Sequence, residues 1–184
     1  MRRLFYLFAA MVFPLSLGAQ QGNPVSSALR DNLERGKKNL TAAAEQMPED
    51  KYSFRPTPPQ MTFAHLVLHI AGSNNFLCSK IAGVPEPPKL QVTETDSKSK
   101  LVDALKSSFD FCSSSLAKVD DSNLGEPMTL FGERKATRAA AMLALSNDFA
   151  DHYAAAAIYL RLNGILPPTA QPREKAPARP AEKK

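Results

Sequence analysis

Residues 147–164 read NDFADHYAAAAIYLRLNG, and the fold turns on them. No proline interrupts the run, and alanine and leucine favour a helix. Asn163 and Gly164 close it, and Pro167-Pro168 prevent its continuation. Traced back to about Thr137, the segment predicts one long helix. Ala141, Leu145, Asp148, His152, Ala156 and Tyr159 fall on a single stripe of it at helical spacing. That stripe is expected to face the interior. An acid and an imidazole one turn apart on it need a physical reason, because a buried carboxylate is costly unless paired, hydrogen-bonded or metal-bound.

Three further helices are expected upstream. The first covers about Pro24–Met47, with Val25, Leu29, Leu33, Leu40 and Ala44 at near-helical intervals. The second starts at Thr62, a capping residue, and runs to about Ile81. The third covers about Ser97–Val119, with Leu101, Leu105, Phe109, Cys112 and Leu116 on one side. The intervening stretches PEDKYSFRPTPPQ and GVPEPPKL are proline-rich loops. The connection after the third helix carries one short extended piece at Met128–Phe131. Four helices without alternating strand patterns predict an all-α, antiparallel four-helix bundle with long loops.

The ends read differently from the middle. Residues 1–19 have the form of an export signal: Arg2 and Arg3, then an apolar run, then Gly18-Ala19. The apolar run is short and broken by Pro14, so cleavage is expected rather than anchoring. Both the general and the twin-arginine export routes fit Arg2-Arg3. No later segment is apolar enough to cross a membrane. The folded domain is placed at residues 20–168. Residues 169–184, rich in Pro, Ala and charge, are expected to be a disordered basic tail. The chain carries a formal net charge of +5. The excess sits in the signal and the tail, which leaves a neutral domain without the basic footprint of a nucleic-acid binder. The expected location is periplasmic or extracellular.

The chain has three histidines, His65, His69 and His152. Asp148 and His152, one turn apart, can share a cation, and His69 on a facing helix would complete a two-imidazole, one-carboxylate set. The bland alternative is a hydrogen-bonded Asp/His couple beside a satisfied core histidine. His65, one turn before His69, is a second candidate for the site, as ligand, as acid/base or as a hydrogen-bonded edge residue. Tyr153 and Tyr159 are most simply packing aromatics with a polar tip, and Tyr159, which shares the His152 stripe, is the candidate pocket liner of the two. Cys78 and Cys112 stand on the two middle helices, and export permits a disulfide between them. Two separately buried thiols are the first reading, and the disulfide is the second. No phosphate loop, serine-nucleophile elbow or dinucleotide fingerprint is present.

Through YSFRPTPPQMTFAHLVLHIAGSNNFLCS and NDFADHYAAAAIYLRLNGILPP, the chain resembles the DinB-like superfamily from about Pro24 to Pro168. The resemblance implies a four-helix bundle holding one divalent metal. It places one ligand at His69 and one at His152. The third falls on Asp148, where the family pattern has His, and Ala154-Ala155 stand where a small residue and an amide are common. Zinc is the first expected cofactor, with nickel, manganese or iron as alternatives. A small molecule is the expected partner, and a homodimer is admitted. The implied activity is that of a metal-dependent hydrolase or thiol transferase. The alternative is a non-catalytic envelope protein whose metal site is weakened or lost.

Overall fold

The computed structural model describes residues 22–172. The expected signal at residues 1–19 and the tail from residue 173 lie outside the described residues. Four long helices dominate: α1 (Pro24–Gln46), α2 (Phe63–Ala82), α3 (Lys98–Leu116) and α4 (Arg138–Leu162). A two-stranded antiparallel hairpin, β1 (Pro127–Leu130) and β2 (Arg134–Thr137), precedes α4. Its first strand is the extended piece expected from sequence. The segment read as tail begins with an ordered 3-10 turn, Pro168–Ala170, where the Tyr153 hydroxyl accepts the Thr169 backbone N–H.

Each helix starts where its capping chemistry lies. Thr62, Ser97 and Thr137 accept the backbone N–H three residues on, satisfying donors at the starts of α2, α3 and α4. Gly83, at φ 67°, ends α2 in the left-handed conformation that glycine adopts without strain. One apolar core joins all four helices, from Leu33 and Leu40 through Leu77 and Leu105 to Leu145 and Leu160.

Helix α1 packs on α3 and α4, and α2 packs on the same two. The directions of these pairs are mixed. Asn74 donates to Ser108 and Cys78 bonds to Cys112, so α2 and α3 run the same way. Asn32 donates to Ser146 and Gly36 lies against Phe149, so α1 and α4 also run together. In contrast, Arg138 donates to the Ile81 carbonyl and Tyr159 to that of Met61, which opposes α2 to α4. Lys98 donates to the Glu45 carbonyl and Arg30 to that of Val119, which opposes α1 to α3. The expected antiparallel relation thus describes two of these pairs. The reason is the connection between α2 and α3, long enough in extended form to return along the bundle.

This arrangement gathers the C-termini of α2 and α3 and the N-termini of α1 and α4 at one end. The charges there match the helix dipoles. Arg138 and Arg30 donate to the terminal carbonyls of α2 and α3. Asp121 accepts the Val25 and Ser26 N–H groups at 2.9 and 2.8 Å, capping α1 from a loop remote in sequence. Desolvation pushes the Asp121 pKa up, but these backbone donors outweigh it and hold the carboxyl below its usual range. A depressed pKa adds stability above the unfolded value, and that stability is lost as pH falls through the folded one. Asp121→Asn should therefore lower the melting temperature at neutral pH and narrow the gap to wild type below about pH 4. Thermal unfolding across pH, followed by circular dichroism, measures this; a gap that widens in acid contradicts it.

Candidate functional site

Because α2 and α4 run in opposite directions, residues late in α4 face residues early in α2. The rings of His69 and His152 meet edge to face, with centroids 4.9 Å apart. One turn back on α4, Asp148 Oδ2 lies 3.3 Å from His152 Nδ1. The two histidines and the acid singled out by spacing therefore come together. They do so at the edge of the α2–α4 groove rather than in the bundle interior. His69 is exposed, and the side chains of His152 and Asp148 are 12% and 25% exposed.

The polar atoms of this group are not settled. Asp148 Oδ2 and His152 Nδ1 are buried yet make no hydrogen bond of good geometry. A buried polar atom without a partner costs about 1–3 kcal/mol, so such atoms point to a missing partner. Desolvation first, and then the neighbouring His152, lowers the His69 pKa, which favours the neutral imidazole that can donate a lone pair. As placed, no group of three His, Cys, Asp or Glu among the described residues forms a cluster that could hold a metal ion.

His65 does not join them. Its Nδ1 lies 2.7 Å from Glu94 Oε1, while the Thr62 hydroxyl donates to Glu94 Oε2 at 2.6 Å. The Thr62 hydroxyl, and less strongly the His65 ring, hold the Glu94 carboxyl below its usual range against desolvation. Glu94 thus clamps the α2–α3 loop over the start of α2. A lone acid in a proline-rich loop gives no spacing signal, so sequence reasoning missed it.

Tyr159 is buried, with its hydroxyl committed to the Met61 carbonyl and its ring against Phe54 and Phe63. It secures the chain entering α2 and offers no free polar group to the groove. Cys78 and Cys112 form a disulfide between α2 and α3 and are fully buried. No helix among the described residues is long and apolar enough to cross a membrane. A cleft of about 460 Å³ lies at the other end of the bundle, beside Ala82, Lys118 and Arg138. It contains no acid-imidazole pair, and the chemistry favours the histidine groove.

A family model described as the DinB superfamily matches residues 32–156. Among solved structures, a DinB-like protein from Bacillus subtilis is similar at 24% identity and TM-score 0.64, covering 80% of this chain and 99% of its own. A DinB-like protein from Bacillus cereus is similar at 15% identity and TM-score 0.63, covering 77% and 95%. A conserved protein from Enterococcus faecalis is similar at 16% identity and TM-score 0.59, covering 75% and 96%. At these identities the likeness is one of fold. No curated protein matches the chain.

Proposed function

The chain belongs to the DinB superfamily, and on that premise we propose that its α2–α4 groove is the site of an exported, metal-dependent hydrolase of a small molecule. The observation that carries this reading is the pair of buried atoms without partners, Asp148 Oδ2 and His152 Nδ1, beside the ring of His69. Two imidazoles and a carboxylate suit zinc first, and nickel, manganese or iron as alternatives. His69 makes no side-chain hydrogen bond among the described residues and stands exposed, so its ring can turn to complete the set. A divalent cation held there would supply an acidified water for hydrolysis. Asp148 and His152, one turn apart on α4, would share the ion with His69. Glu94 holds His65 at its Nδ1, one turn before His69 on the same side of α2.

Export rests on the form of residues 1–19 and is supported by the Cys78–Cys112 bond, since disulfides persist in oxidising compartments. Thiol-transfer chemistry is the less favoured variant, because low-molecular-weight cytosolic thiols are scarcer there. A second reading has its own support. The contact of Asp148 with His152 can satisfy both groups as an internal ion pair, leaving a non-catalytic envelope protein.

Metal content separates the two. Purified without chelator, the wild type should carry about one divalent ion per chain. His152→Ala should carry none and Asp148→Asn much less, with unchanged helical circular dichroism. Equal content in all three proteins, or none in the wild type, overturns the metal reading and leaves the ion-pair one.

A further inference from the structure

We propose that the substrate of this groove carries an aromatic ring on a short apolar chain, about 10 Å from its reacting group. The inference rests on the reading of His69, Asp148 and His152 as the reacting end. His65, His69, Gly72 and Phe76 succeed one another at steps of four, three and four along the one side of α2 that is not buried. The seven steps from His69 to Phe76 rise about 10 Å at 1.5 Å per residue.

The middle of this track is open. Arg138 meets Ile81 and His152 meets His69, so on opposed helices Asp148 falls opposite Gly72. A Cβ built at Gly72 would meet nothing within 4 Å. The far end is apolar. Phe131, from the hairpin tip, lies on Phe76 with ring centroids 5.1 Å apart. Phe131 is 53% exposed, and its φ of 20° is one that bulky residues rarely adopt. An exposed phenyl gains from being covered, because its apolar area leaves water. Lys80 Nζ, 5.6 Å from the Phe76 ring centre, closes this end. The groove therefore has a polar end with nitrogen and oxygen donors, open space over Gly72, and an aromatic pair. A linear molecule with a polar head and an aryl tail matches that order, and aryl-on-aryl packing adds to simple area burial.

Phenylalkyl hydroxamates of increasing chain length, and the matching phenylalkyl alcohols, test this by calorimetry on the zinc-loaded chain. Hydroxamate affinity should climb to an optimum length about tenfold tighter than the shortest member, then fall. Phe131→Ala should remove that gain. Gly72→Leu should block the longer hydroxamates and spare acetohydroxamate, since its side chain enters open space. A flat series, or a gain that survives both variants, overturns the proposal. Alcohols that show the same optimum while hydroxamates bind no tighter would sink the metal reading and leave the aryl site standing. Should Phe131→Ala change the sedimentation of the chain and leave the series unaltered, the aromatic pair joins two copies and the proposal falls.

Discussion

Reducing the Cys78–Cys112 bond should cost about 4 kcal/mol of stability and lower the melting temperature by roughly 10 °C. The two cysteines lie 34 residues apart in sequence, so the bond closes the whole α2–α3 connection in the unfolded chain. That connection must return along the bundle before α3 can pack beside α2 in the same direction. Freeing it enlarges the unfolded ensemble, and the loss scales with the logarithm of the loop. Both sulfurs are fully buried, so reductant reaches them only when the bundle opens. Wild-type protein reduced while unfolded and then refolded isolates the cross-link. The Cys78→Ala/Cys112→Ala double variant adds the loss of packed sulfur and should melt lower still. The bond ties α2 to α3 and leaves the α2–α4 groove alone, so metal content should survive reduction below the new melting point. Equal melting of oxidised and reduced protein would mean that the thiols contribute as separate core residues.

The helices were legible because their apolar residues recur at helical spacing between strong punctuation. Leu101, Leu105, Phe109, Cys112 and Leu116 give α3, and Thr62 and Gly83 bracket α2. Their directions were not legible, because a pattern along one helix carries nothing about its neighbour. The information sat instead in the length of the α2–α3 connection. Inward and outward faces were readable on α1, where the stripe is narrow. They were not on α4, which is apolar nearly all round: Leu143, Ile158 and Leu162 stand exposed there. Stripe arithmetic could therefore join Asp148 to His152 but could not set their depth, and the groove edge was mistaken for the interior. Tyr159, readable as a packing aromatic with a polar tip or as a pocket liner, packs against Phe54 and Phe63 and spends its hydroxyl on Met61. Asp121 and Glu94 act across the fold on groups remote in sequence, beyond any local pattern.

Phe109→Ala should destabilise the chain by about 4 kcal/mol, comparable with loss of the disulfide. Phe109, fully buried on α3, reaches across the core to Phe149 on α4, with ring centroids 5.8 Å apart. Phe149 in turn lies on Gly36 of α1, where a built Cβ would come within 2.9 Å of the ring atom Cγ. This wedge of ring, ring and glycine sets the spacing of three helices, so truncating the central ring leaves a cavity that the helices cannot all close. Chemical denaturation measures the cost, with Leu143→Ala, at a 62% exposed position, as a control expected within about 0.5 kcal/mol of wild type. The wedge also predicts a coupling. Gly36→Ala alone should cost about 1–3 kcal/mol, because the new methyl pushes Phe149 into a filled core. In the Phe109→Ala background the displaced ring has room to move, so the same substitution should cost markedly less. Additive losses in the double variant would mean that Phe109 and Gly36 act on Phe149 independently, and that the three helices are spaced by other contacts.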